Sequence, residues 1–311
     1  MALPVLAAAD GDTWLDHTHT WVYEALWRSA MRVDDAFGSE HEPSDYQRLY
    51  GSITPALLWD EFRGFQPKLR FQINVPLPQL DQRFNAIIGR VNPDEYITER
   101  ARQSGAIPRQ FGPPGDDETL FGVAYRSAHQ DSGDFGLGAG VRIRSPLDPY
   151  VKGDYTYAYG SPRALLLTYK QTVFWKQSEH AGTTTRIDLD HFLSPVALLR
   201  FTAAGTLSQK SQGLRGFADT SIMRSLPGRR ALIGMLSIDW ESRAPVALHE
   251  FGVAVGYRQS VFRDWLILEA RSSLTWPKEV PGAPRVRSWG LGLGFEMLIG
   301  TTQFQALPVT F

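Results

Sequence analysis

From about residue 46 to residue 300 the chain alternates large apolar residues with small or polar ones. The clearest stretch runs from Trp289 to Ile299. Trp289, Leu291, Leu293, Phe295, Met297 and Ile299 take every second position, and Gly290, Gly292, Gly294 and Glu296 fall between them. A period of two places the two sets on opposite faces of a strand. The same alternation sets Leu69, Phe71, Ile73 and Val75 against Arg70, Gln72 and Asn74, and Phe251, Val253, Val255 and Tyr257 against Gly252, Ala254, Gly256 and Arg258. It predicts strands at roughly 46–60, 66–77, 82–92, 117–128, 134–145, 149–160, 163–177, 182–193, 196–209, 215–225, 229–241, 246–260, 264–276 and 285–299. Most exceed the roughly 5–6 residues of ordinary globular strands and reach the roughly 9–11 that a tilted strand needs to cross a bilayer. The expected fold is all-β, a transmembrane antiparallel up-and-down β-barrel of about 14 strands, with about 12 as the alternative, one face toward lipid and the other toward the lumen.

The connections agree. Alternate turns are short, such as Ser194-Pro195 and Leu226-Pro227-Gly228, whereas 93–117 and 277–284 fall in the other set. Short turns belong to the periplasmic side, so both termini are expected there. Trp59, Tyr159, Trp175, Trp240, Trp276 and Trp289 fall near strand ends, where amphipathic rings favour the headgroup zone.

Residues 10–45 follow a different rule. Trp14, Thr18, Trp21, Ala25, Ser29, Arg32 and Phe37 make a broad stripe at spacings of three to five, widened by Val22, Leu26 and Val33. That predicts a short N-terminal helix and linker, able to enter the lumen, lie under the periplasmic rim or rest on the membrane surface. Residues 1–9 end in Ala7-Ala8-Ala9 and read as the remnant of a signal peptide. The barrel takes 46–300, and 301–311 forms a tail or a final strand segment.

Composition fits this reading. The 311 residues are 43% hydrophobic and 12% aromatic, with a mean hydropathy of -0.24, too apolar for disorder. No run approaches the roughly 18 apolar residues of a spanning helix. A net charge of -1 gives no bulk attraction to nucleic acid. Without cysteine, disulfides, thiol catalysis and thiolate metal sites are excluded. No cofactor or metal is expected.

The chemistry sits on the predicted lumen face. Arg70, Arg126, Arg142, Arg144, Lys152, Asp154, Lys170, Arg186, Asp188, Asp190, Arg200, Arg258, Glu269, Arg271 and Glu296 belong to it, together with Arg83, Arg224 and Asp239. Basic groups outnumber acidic ones in this set. It reads either as a pore with mild anion preference or as an ion-pair network across the lumen that stiffens the barrel. Arg186, Asp188, Asp190 and His191 could form an acid/base or cation cluster, or pair with Lys170 and Arg200. His17 and His19 could hold a metal only in an extended segment, because positions two apart do not share a helix face. Ser178 and His180, together at a strand end, with His191 on the next predicted strand, are the candidates for nucleophilic chemistry, with no G-x-S-x-G around them. The alternating glycines are small inward residues rather than phosphate cradles.

Several segments together, Met31–Gly38, Val75–Phe84, Gln171–Lys176, Tyr257–Leu266 and Leu274–Pro277, resemble a group of uncharacterised proteobacterial outer-membrane β-barrel proteins. The resemblance covers most of the chain after residue 30; Phe262-Arg-Asp-Trp-Leu266 and Leu274-Thr-Trp-Pro277 are its most specific parts. It implies the outer membrane of a Gram-negative bacterium and no assigned activity. Three functions are expected to compete: a channel or ligand-conducting pore; a non-conducting structural barrel whose residues 14–37 dock a periplasmic protein or lipoprotein; and a lipid-modifying enzyme. Membrane lipid and lipopolysaccharide are the expected surroundings.

Overall fold

A computed structural model describes residues 14–34, 49–77, 83–92, 96–97, 117–129, 133–161, 164–211 and 213–300, with the side chains of the N-terminal helix described as far as Glu24. The elements are α1 (Trp14–Asp34), β1 (Tyr50–Asp60), β2 (Gly64–Pro76), β3 (Phe84–Val91), β4 (Glu118–His129), β5 (Gly133–Ile143), β6 (Asp148–Gly160), β7 (Leu165–Lys176), β8 (His180–Ser194), β9 (Ala197–Ser208), β10 (Arg215–Leu226), β11 (Arg230–Glu241), β12 (Leu248–Ser260), β13 (Leu266–Thr275) and β14 (Ser288–Ile299). Each strand pairs antiparallel with its neighbours in chain order. β14 closes on β1, with Gly51 opposite Ile299 and Asp60 opposite Gly290. The result is one closed barrel of 14 strands. Closure leaves no strand as an open edge, which hydrocarbon could not satisfy. The predicted signal-peptide remnant and the segment 301–311 lie outside the described residues.

The barrel is built inside out compared with a soluble β protein. Leu291, Val255 and Phe65 on the outer face are 58%, 61% and 64% exposed, whereas the inward Glu250 and Glu269 are 1% exposed. Register keeps this consistent around the wall, since paired residues share a face: Leu57 is opposite Leu293, and Leu293 is opposite Ala270. The outer band is apolar and the interior charged. The protein is therefore an outer-membrane barrel.

The two ends differ. One carries α1, the start of β1 and the end of β14; its other connections are short. The opposite end carries the two longest connections, 92–117 and 276–287. Short turns mark the first as periplasmic and long loops mark the second as extracellular. Trp59, Trp175, Trp240, Trp276 and Trp289 all stand at the extracellular ends of their strands, on outward positions. The periplasmic girdle is instead made of Phe84, Tyr125, Phe135, Tyr155, Tyr159 and Tyr257, with Phe84 and Tyr125 in ring contact at 5.0 Å.

Rather than entering the lumen, α1 lies against the outer wall at the periplasmic end, a position not among the three that the sequence suggested. Ile73 and Val75 continue the outward row of Phe65 and Leu69, which are 64% and 50% exposed, yet they are only 6% and 3% exposed themselves. Together with Leu49, Leu77, Ala86 and Ile299 they form an apolar cluster against which Val22 and Tyr23 pack. Arg263 in the β12–β13 turn binds Asp16 through two bonds of 2.7 Å. His19 stacks on Trp265 at 4.2 Å and lies 2.9 Å from the Leu298 carbonyl. α1 does not plug the lumen. Its wall-facing stripe is Leu15, Asp16, His19, Val22 and Tyr23, spaced as one helix face should be. The stripe read from sequence is partly the opposite face, since Trp14, Thr18 and Trp21 are exposed.

Candidate functional site

The lumen is the one place where the fold concentrates polar chemistry, and the β3–β4 connection reaches into it. Ile97 is fully buried against the inward Tyr150 and Phe174, with Tyr96 alongside. Lys152 Nζ donates to the Tyr96 carbonyl at 3.0 Å and lies 4.3 Å from the centre of the Tyr96 ring, a cation–π contact as well as a hydrogen bond. Tyr96 meets Tyr150 edge to face at 6.4 Å. Where the connection returns to the wall, Asp117 pairs with Arg70 at 2.8 Å. The loop is thus fastened to the interior at two places on different walls. Tyr96 and Ile97 are themselves helical.

Glycines make room for this. Gly136, Gly138 and Gly140 of β5 face Asp154, Lys152 and Tyr150 of β6 in register. A Cβ at Gly136 would stand 2.7 Å from Asp154 Oδ1, one at Gly138 3.3 Å from Lys152 Cε, and one at Gly140 2.7 Å from the Tyr150 hydroxyl. The row is a recess in which three long side chains lie flat along the wall. This is the physical reason for alternating glycine here.

The charges of the inner wall form local pairs. Arg186 holds Asp188 with bonds of 2.9 and 2.7 Å, and Thr202 donates to the same carboxylate at 2.7 Å. Arg200 holds Asp190 at 2.5 and 2.7 Å. Lys170 lies 3.4 Å from Asp154. On the opposite arc Arg258 bridges Glu269 at 3.2 Å and Glu296 at 2.6 Å, and Arg271 adds a contact of 2.8 Å to Glu269. Near the extracellular rim Arg142 binds Glu118 and Asp148, each at 2.8 Å, and Arg63 binds Glu250 at 2.6 Å. These pairs run along one strand or between strands of the same wall, not across the lumen. Register places three of them directly opposite each other: Arg200 with Asp190, Arg258 with Glu269 and Arg142 with Asp148.

Sequence reasoning left out the carboxylates at strand ends. Asp60, Asp117, Glu118, Asp148 and Glu250 all join the inward pairs described above or, for Asp60, lie 3.9 Å from Arg63. They offset the basic excess suggested by the smaller set. For Asp60, Glu118, Asp148 and Glu250 the signal was present in sequence as acids near strand ends on the parity of the inward residues; Asp117, just before β4, is on the other parity and its inward pairing was not legible. The remaining members of the set scatter. Arg126 is exposed on the inward parity of β4, opposite Gly136. Arg144 lies beyond β5, 3.8 Å from Glu118. Arg83 is in the β2–β3 turn, 3.4 Å from the Tyr125 hydroxyl. Arg224 does not face the lumen. It is exposed and opposite Leu232 on the outer face, because Phe217 and Met223 put apolar bulk on the inner side of β10 and blur the alternation.

The candidates for catalysis do not assemble. Ser178 is held by Arg142 and by Asp148, through its hydroxyl and its backbone amide respectively. His180 and His191 belong to opposite ends of β8, roughly 36 Å apart at the usual rise per residue. His191 is on the outer face, opposite Leu165, away from Asp188 and Asp190. His17 and His19 part company as well, with His17 exposed and His19 against Trp265. Among the described residues no group of three His, Asp or Glu side chains could hold a metal ion.

No protein-family model matches the chain, and no curated protein matches it in sequence. Among solved structures it is similar to a loop-deletion variant of OmpT, an outer membrane protein of Vibrio cholerae, at 10% identity and a TM-score of 0.49, over 80% of this chain and 98% of that one. It is also similar to the outer membrane channel DcaP of Acinetobacter baumannii, at 8% identity and a TM-score of 0.46, over 81% and 96%. An anion-selective porin from Comamonas acidovorans matches at 9% identity and a TM-score of 0.45, over 81% and 98%.

Proposed function

We propose that this protein is an outer-membrane channel whose lumen is narrowed from within by the β3–β4 connection and admits small polar solutes with little discrimination by charge. The observation that carries the reading is the Tyr96–Ile97 segment seated inside the barrel on Lys152, Tyr150 and Phe174. A barrel used only as a scaffold has no need of a loop folded into a charged interior. A conducting one is set by its narrowest point and by the groups lining it. Charge selectivity is weak in this reading because the inner arginines face carboxylates a few ångströms away, so that little net field is left along the path.

Single-channel recording in planar bilayers tests it. Wild type is expected to show small openings, and the Tyr96→Ala, Lys152→Ala variant larger ones with little change in the anion-to-cation permeability ratio. Absence of openings above background in both proteins, with the barrel folded, removes the channel reading. The reading would then pass to a structural or partner-binding barrel.

A further inference from the structure

The outer wall at the periplasmic end carries a surface the channel does not use. α1 turns Leu15, His19, Val22 and Tyr23 toward the barrel and leaves Trp14 and Trp21 72% and 66% exposed. These two tryptophans are seven residues apart, hence on one side of the helix, with the exposed Thr18 between them. The helix rests on outward side chains of β14, β1, β2 and β3, where the sheet would otherwise meet hydrocarbon. It is pinned at this level by Asp16 to Arg263 and by His19 to Trp265. Its position is thus in line with the Tyr and Phe girdle, and Phe262 of the adjoining turn is itself 51% exposed.

We propose that the free face of α1, through Trp14 and Trp21, binds the lipid of the periplasmic leaflet at the boundary between headgroups and acyl chains. Three features fit that occupant. The surface is continuous with the lipid-facing band of the barrel. Indole is the side chain that gains most at this boundary, since its ring is apolar and its N–H still reaches water. His17, Thr20 and Glu24 give the same helix a polar side for the headgroups. The helix also spans the β14–β1 junction, with Ile299 on one strand and Leu49 before the other in its cluster. Lipid binding would therefore hold a strap across the seam at which the barrel closes.

The native chain has no cysteine, which allows a direct test. Trp14→Cys, Thr18→Cys and Trp21→Cys are spin-labelled singly in vesicles of phosphatidylethanolamine and phosphatidylglycerol, with Leu293→Cys as the mid-bilayer reference and Glu279→Cys as the aqueous one. Folding is checked by heat-dependent mobility in gels, and Thr18 serves if a tryptophan variant fails to fold. The labels on α1 are expected to favour collision with oxygen over a water-soluble nickel chelate, at a depth between the two references. Accessibility to nickel equal to that at Glu279 overturns the proposal. So does shielding from both reagents, which would mean that protein covers this face.

Discussion

The strength of the Arg258 node depends on how wet the lumen is. Arg258 bridges Glu269 and Glu296, and its side chain and that of Glu269 are 8% and 1% exposed. Unit charges about 4 Å apart attract by about 1 kcal/mol in bulk water and about 4 kcal/mol at the effective dielectric of about 20 typical of protein sites. Exposed pairs measure about 0–1 kcal/mol; removal of one partner from a buried pair costs about 3–5 kcal/mol, because the other charge stays behind. Arg258→Met removes the shared cation from two carboxylates, and only Glu269 keeps a second arginine, Arg271. The expected loss of stability is about 3 kcal/mol, toward the low end because Arg271 remains and Glu296 is partly accessible. Arg258→Met with Glu296→Gln should recover most of it, since Glu269 keeps Arg271 and no uncompensated carboxylate is left at this node. Urea unfolding of the barrel in lipid vesicles, followed by tryptophan fluorescence, measures both. A loss under about 1 kcal/mol for the single variant, with no recovery in the double, would refute the burial reasoning and mean that water screens the wall.

Other substitutions test other parts of the wall. Leu293→Arg, at the middle of an outer row, should cost about 2–4 kcal/mol, and Trp289→Arg, in the extracellular girdle, about 0–1 kcal/mol; equal losses in vesicle unfolding would contradict the depth assignment. Gly136→Val should destabilise by about 1–3 kcal/mol because its side chain displaces Asp154 from beside Lys170, whereas Gly153→Ala, whose new methyl meets Leu137 Cδ2 at 3.5 Å, should change stability by less than about 0.5 kcal/mol. Arg263→Ala removes the doubly bonded partner of Asp16 and should raise the rate at which protease cuts within α1 while lowering barrel stability by about 1 kcal/mol or less; an unchanged cleavage rate would mean that Trp265 and the apolar cluster alone hold the helix.

The barrel was legible in sequence because lipid outside and charge inside write the same period of two into every strand. Where the outward set is pure, as in β14, the predicted and observed faces coincide. Where both faces carry apolar bulk, as in β10, Arg224 is misassigned. The strand count follows from periodicity and turn spacing, which are local; of the rings read near strand ends, the five tryptophans make the extracellular belt and Tyr159 alone belongs to the periplasmic one. Ion pairing is not local: whether Asp190 meets Arg200 or Lys170 depends on register and rotamer, and Lys170 goes to Asp154 instead. The acids at strand ends escaped notice because alternation weakens there, though parity already marked Asp60, Glu118, Asp148 and Glu250 as inward. α1 was misjudged for a related reason. Two tryptophans dominate its apolar stripe, yet the smaller Leu15 and Val22 with His19 and Tyr23 are what the wall receives, because the wall offers a ring at Trp265 and a cation at Arg263 that His19 and Asp16 meet.

The loop inside the barrel and the pairing of the wall bear on selectivity together. Had Lys152 faced an open lumen, it would have drawn anions toward the level of the Tyr96–Ile97 segment. Instead its ammonium is occupied by the Tyr96 carbonyl and ring, so the group best placed to select by charge also holds the loop in position. Freeing Lys152 to attract an anion would therefore release the segment that narrows the path, and a gain in electrostatic preference comes with a loss of size restriction. Tyr96→Phe tests this coupling. The substitution removes the side-chain hydrogen bond from Tyr96 to Tyr150, but the Lys152 bond goes to a backbone carbonyl and the ring survives, so the loop should stay docked and both conductance and ion preference should remain close to wild type. Tyr96→Ala keeps the carbonyl but removes the ring and its packing on Tyr150. It should raise conductance and anion preference together. A rise in one without the other in bilayer recordings would show that the lysine and the loop act independently.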